Sequence, residues 1–90
     1  MNNFFVYILV SQKPLCHKWS YVGYTGDLEQ RMLDHQRGKT KSTKAYRPLS
    51  LIHTEVFAQR TEARKRELYL KSGCGREERY QIIKNYSGIV

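Results

Sequence analysis

Acid is scarce in this sequence. Eight Asp and Glu face sixteen Lys and Arg, for a formal net charge of +8. A field of that sign argues against basic partners and draws polyanions, of which nucleic acid is the commonest in cells. Solubility alone is the competing account of such a charge. Cysteine is scarce too. Cys16 and Cys74 lie far apart and form no CxxC pair, which leaves no disulfide framework and no zinc site. Both read as free thiols of a reducing compartment. Long hydrophobic runs are missing. The apolar run Phe4–Val10 is too short to cross a bilayer. No basic residues precede it and no small-residue cleavage site comes after it, so the expected setting is cytoplasmic, with no membrane partner. Repeats, low-complexity tracts and linkers are also missing, which points to a single domain over residues 1–90. A chain this short hides only about 60–65% of its unfolded surface, so few side chains are surplus to the core.

What is present suits a folded globule, with 40% hydrophobic and 12% aromatic residues. Phe4–Val10 (FFVYILV) is rich in branched and aromatic residues and reads as a strand covered on both faces. A polar connection with Pro14 leads to a second strand, Trp19–Thr25, antiparallel to the first. Asp27 is an N-cap, with Gln30 as its reciprocal partner, for a helix that runs to Arg37 and stops at Gly38. Gly38–Pro48 reads as a basic loop and Leu49–Phe57 as a third strand. Thr61 is expected to cap a helix from Glu62 to about Ser72, and a last helix covers roughly residues 77–85. The order β-β-α-β-α-α defines an α+β domain, helices against a small antiparallel sheet, with its core at about residues 4–72.

Polar residues fall in apolar places. On the first helix Leu28 and Met32 mark the inward stripe, and Arg31 and His35 share it. On the next helix Ala63 and Leu70 mark the stripe, and Glu67 falls between them. A carboxylate there has to be paired, ligate a metal or line a cleft, because burial alone costs several kcal/mol, on the order of a lost ion pair. Each residue has a plainer structural account: His35 as a hydrogen-bonded core histidine, Arg31 and Glu67 as an inter-helix ion bridge. Together they suggest a polar cleft between two helices and the sheet. Tyr7 and Tyr21 fall mid-strand, where antiparallel pairing can put them on one face. The other five tyrosines read as packing or surface residues.

These elements resemble a family. Val6-Tyr7-Ile8 looks like the GIY motif and Tyr21-Val22-Gly23 like YIG. The run Tyr24-Thr25-Gly26-Asp27-Leu28-Glu29-Gln30-Arg31, then His35, is similar to the segment after YIG in GIY-YIG nucleases. Arg47-Pro48-Leu49, Glu62-Ala63, Arg66-Glu67 and Leu70-Lys71 fit as well. The first motif has Val6 where Gly is usual, and the second has Val22 at its centre; both tyrosines and Gly23 stand. The likeness is to the small stand-alone members, whose fold is shared with the N-terminal nuclease domain of the excinuclease subunit UvrC. It implies a three-stranded antiparallel sheet flanked by helices. It implies a metal-dependent DNA endonuclease of repair or processing, acting on DNA that includes branched or damaged forms. Tyr7, Tyr21, Arg31, His35 and Glu67 would be catalytic, and Glu67 would hold one Mg²⁺ or Mn²⁺. The chain has no match to the second DNA-binding domain of larger members, so a protein partner is expected to supply specificity to a monomer. A nucleic-acid-binding module with little or no catalysis is the alternative.

The chemistry fits the residue types. A hard cation on one carboxylate keeps positions for water and phosphate. Arg31 offers a planar, permanently charged fork to non-bridging oxygens. A tyrosine base has a reference pKa of about 10, so a nearby cation must favour its phenolate. Either motif tyrosine qualifies, and His35 can share the duty. Gly23 lets the backbone approach substrate or helix, or makes a tight turn. In the basic loop, Arg37, Lys39, Lys41, Lys44 and Arg47 occur without an acid, among Thr40, Ser42, Thr43 and Tyr46 hydroxyls suited to phosphate. With Lys71 they form the expected nucleic-acid contact; if the loop neutralises four or five phosphates, log affinity falls with log salt at a slope of about −4.

Overall fold

The computed structural model of the chain describes residues 3–14 and 19–87. Cys16 lies outside them; Cys74 is an exposed free thiol. The elements are β1 (Phe4–Ser11), β2 (Ser20–Thr25), α1 (Leu28–Arg37), α2 (Lys41–Lys44), β3 (Leu49–Phe57), α3 (Arg60–Lys71) and α4 (Arg76–Ser87). The three strands form one sheet in the order β2-β1-β3, with both pairings antiparallel. The apolar run therefore takes the central position, and Val6, Tyr7, Ile8 and Leu9 are all buried.

Alternation along β1 sorts its side chains between two layers. Val6 and Ile8 join Val22, Ala63 and Leu70, so α3 covers one face, and Ile82 and Ile83 of α4 pack against the same cluster. Tyr7 and Leu9 join Leu49, Trp19, Tyr21 and Tyr46, with Leu28 and Met32 of α1 against them. Full burial of one Leu or Ile side chain contributes about 1.5–3 kcal/mol, so truncating Leu70 would open the α3 layer. The β1–β3 register shifts between Ile8, opposite His53, and Leu9, opposite Leu51. Ile52 is the extra residue of that bulge, and the bulge gives the sheet a local kink.

The start of α1 is written in its sequence. The Asp27 carboxylate accepts from the Gln30 amide at 3.1 Å, and Gly38 closes the helix at φ 81°. Gln30 does not return the favour; its side chain donates to Asp34 instead. Three expectations need correction. Residues 38–48 are not all loop, because Lys41–Lys44 make a turn of helix. The helix expected at Glu62 begins at Arg60 with Gln59 as an extended N-cap, so Thr61 caps nothing. Arg60 also lies over the Phe4 ring, 5.2 Å from its centre, which favours the earlier start. The last helix extends from Arg76 to Ser87, beyond the expected 77–85.

Candidate active site

The site begins in the strand register. Tyr7 pairs with Gly23 and Leu9 pairs with Tyr21, so Tyr7 and Tyr21 are diagonal neighbours on one face. Their ring centres are 6.2 Å apart, tilted by 40°. Gly23 explains how Tyr7 fits. A Cβ on Gly23 would stand 2.5 Å from the Tyr7 oxygen and 3.0 Å from Tyr21 Cε2. The glycine sits in the middle of β2, not in a turn, and what comes close to it is the Tyr7 phenol.

Helix α1 delivers the next two groups. His35 is its one buried residue, and Arg31 lies half-buried one turn earlier. His35 Nε2 is 2.9 Å from the Tyr7 oxygen, and Arg31 Nε donates to that same oxygen at 3.3 Å. His35 Nδ1 is 2.9 Å from Thr43 Oγ1. The hydrogen-bond network sets the tautomer. Tyr7 is fully buried and accepts from Arg31, so its own proton goes to the acceptor in reach, His35 Nε2. Nδ1 then carries the imidazole proton and donates it to Thr43, whose hydroxyl faces the Thr40 carbonyl at 3.4 Å. The His35 ring meets both tyrosines edge-on, at 5.6 and 5.3 Å between centres.

Burial sets the electrostatics. Loss of water pushes the Tyr7 phenol up to about 12, and the Arg31 hydrogen bond only partly opposes it. Burial, helped by the Arg31 charge, lowers His35 from its ordinary value and keeps the imidazole neutral. Hydrogen bonding to Tyr7, against the opposing effect of burial, raises Arg31 further, and Tyr21 adds to the rise. Tyr7 is thus a neutral phenol at ordinary pH, and the phenolate expected of a tyrosine base is not its resting form.

Helix α3 brings Glu67. Ala63, Glu67 and Leu70 are its buried residues, as the stripe predicts. Glu67 Oε1 accepts from Arg64 Nη1 at 2.7 Å, and Oε2 accepts from Lys71 Nζ at 3.0 Å. No Arg31–Glu67 ion bridge is present among the described residues, because Arg31 is turned to Tyr7 and Glu67 to its own helix. Lys71 Nζ also lies 5.7 Å over the Tyr21 ring, and the Glu67 charge reaches far enough to raise Tyr7. Tyr7, Tyr21, Arg31 and His35 therefore form one contact cluster, and Glu67 reaches it through Lys71; Tyr7, His35 and Glu67 are buried, and Tyr21 and Arg31 are half-buried.

The donor set suits a hard divalent cation held by one carboxylate. Among the described residues no three His, Cys, Asp or Glu cluster around a point. A Mg²⁺-like ion uses one or two carboxylates and keeps its waters and phosphates, so Glu67 alone suffices. Glu67 is buried, and the two side chains that hold it are each about half exposed on long stems.

The basic loop is less uniform than its composition. Arg37, Lys41 and Lys44 are exposed, and Lys39 is exposed beside Asp34 at 3.9 Å. Arg47 is committed: Nε donates to the Lys44 carbonyl and Nη1 to the Gln36 carbonyl. Thr43 corrects the reading of this segment as a row of phosphate donors, since its side chain is buried against His35. Thr43 is the site residue that sequence reasoning missed. Helix α1 ends at Gly38, between His35 and Thr43, so no period runs from one to the other, and only the unforeseen turn α2 aims Thr43 inward.

Fold and site together describe a small α+β domain built around a tyrosine–histidine–arginine cluster beside a buried glutamate. Comparison with known proteins agrees. Residues 3–81 match the model of the GIY-YIG catalytic domain. A UPF0213 protein of Bacillus velezensis is 40% identical over 85 residues, spanning 92% of this chain and 80% of that protein. A UPF0213 protein of Syntrophus aciditrophicus is 38% identical and spans 93% of both chains. The solution structure of a UPF0213 protein from Bacillus halodurans superposes with a TM-score of 0.52 at 31% identity, covering 89% of this chain and 84% of that one. The chain belongs to the GIY-YIG nuclease family.

Proposed function

We propose that this protein hydrolyses phosphodiester bonds in DNA, in repair or processing, using Mg²⁺ or Mn²⁺ held by Glu67. One observation supports the reading: Arg31 and Tyr21 lie against Tyr7, and Lys71, which donates to Glu67, lies over the Tyr21 ring. Mg²⁺ or Mn²⁺ there would neutralise charge on the phosphate and the leaving oxygen. Arg31 binds the non-bridging oxygens with the guanidinium nitrogens not spent on Tyr7. Tyr21, the half-exposed phenol, contacts the attacking water. Tyr7 holds Arg31 in place and offers its proton to His35, which is neutral and able to accept it. His35 is in turn oriented by Thr43.

The partner is DNA, contacted through phosphates by Arg37, Lys39, Lys41, Lys44 and Lys71. Arg47 supports that surface by tying α1 to α2. A monomer in the cytoplasm, with specificity supplied by a protein partner, completes the reading. Among the described residues no helix is long and apolar enough to cross a membrane. A second reading, DNA binding with little catalysis, is favoured by the fact that Arg64 and Lys71 already satisfy both Glu67 oxygens.

The test is cleavage of branched, flapped, nicked and linear DNA with Mg²⁺ or Mn²⁺, by the protein and by Glu67→Ala and Arg31→Ala. Cleavage that disappears in both variants supports the nuclease. Binding of every substrate without any cut supports the second reading. Undiminished cleavage by both variants overturns the site.

A further inference from the structure

Glu67 is the one buried carboxylate among the described residues, and its two oxygens face different neighbours. Oε1 is held by Arg64, whose guanidinium lies 5.6 Å over Tyr24, a residue packed against the α3-side core. Oε2 is held by Lys71, whose ammonium lies 5.7 Å over Tyr21. The proposed chemistry sits on the Tyr21 side. An ion serving it approaches Oε2, which already accepts from Lys71. An oxygen-bound dication and an ammonium in contact with that same oxygen repel.

Lys71 is built to leave. Its side chain is 44% exposed, its stem is flexible, and among the described residues its one carboxylate contact is to Glu67. Arg66, one residue from Glu67, shows the opposite design: it makes paired contacts to both Glu55 and Glu78 and is only 23% exposed. We propose that Lys71 is a resident countercharge that a divalent cation displaces from Glu67 Oε2. Arg64 stays on Oε1, and the released ammonium becomes a phosphate contact beside Tyr21. The exchange keeps the buried carboxylate compensated before the ion arrives and adds a DNA contact only once it has. It rests on the reading of Glu67 as the metal ligand.

The test is Mn²⁺ affinity, measured by electron paramagnetic resonance, in the full chain and in Lys71→Met and Glu67→Gln. Loss of binding in Glu67→Gln, with about tenfold tighter binding in Lys71→Met, supports the exchange; that size is within the range of coupled sites. Should Lys71→Met fail to fold, the unaltered chain decides. Mg²⁺ should accelerate acylation of the Lys71 amine, measured by mass spectrometry at fixed ionic strength, and should not do so in Glu67→Gln. If Glu67→Gln loses Mn²⁺ while Lys71→Met matches the parent and Mg²⁺ leaves acylation unchanged, the exchange is overturned and the metal site stands. If Glu67→Gln binds Mn²⁺ like the parent, the metal site and the exchange both fail.

Discussion

Two polar networks lie in this small domain, and they are built on opposite plans. One joins β1, α1 and α2 through Tyr7, His35, Arg31 and Thr43, with Glu67 of α3 alongside. The other joins β3, α3 and α4 through His53, Glu55, Arg66 and Glu78. In the second, one arginine fork spans two carboxylates and His53 closes on Glu55 at 2.8 Å. The Glu55 carboxyl lies below its ordinary value because the Arg66 and His53 hydrogen bonds outweigh burial. The first network holds a neutral phenol, a neutral imidazole and a cation with unspent nitrogens. Saturated charge makes a strut; unspent hydrogen-bonding capacity beside a buried acid makes a site.

Substitutions should separate the two. Glu67→Gln should lower cleavage by at least about 10²-fold while DNA retention in a gel persists, since it removes the metal's carboxylate. Arg31→Lys keeps the charge and loses the fork, so kcat should fall by about 10²- to 10³-fold. Gly23→Ala drives a methyl into Tyr7, and overpacking of this kind costs about 1–3 kcal/mol. Its melting temperature and cleavage rate should fall together. Glu55→Gln should lower stability by about 1–3 kcal/mol in urea titration and leave the cleavage rate unchanged. A loss of cleavage there would erase the contrast between the networks.

The smallest effect is in pH. Burial lowers His35, so the unfolded chain takes up that proton first, at its ordinary value near 6.5. The contribution is complete above pH 6.5 and is lost as pH falls below it. Glu55, being lowered, loses its contribution only as pH falls through the carboxylate range. The melting temperature should therefore decline from pH 7 to pH 5, and His35→Gln should flatten that decline. An equal decline in the variant would place the titrating group elsewhere.

Much of this was legible in the sequence because it depends on periodicity. β3 keeps its expected bounds, α1 its cap and stop, and the inward placement of His35 and Glu67 comes from helical spacing alone. The resemblance to the GIY-YIG family agrees with the matched domain model. What stayed hidden depends on through-space contact. No local pattern says that Arg47 spends its guanidinium on carbonyls or that Thr43 turns inward, whereas Arg64 and Lys71 stand at i,i+3 and i,i+4 spacing from Glu67. A stretch as polar as KSTK gives no apolar stripe from which to read an inside.

Thr43 resting on His35 turns the stretch between α1 and β3 into a measured spacer. Its outward positions at Lys41, Ser42 and Lys44 are exposed, so a change of side chain there leaves the packing intact. Its residue count is not: one insertion within α2 would swing Thr43 by about 100° around the helix axis and leave the imidazole without its backing. The fold should therefore tolerate new side chains at these outward positions and reject a change in the segment's length.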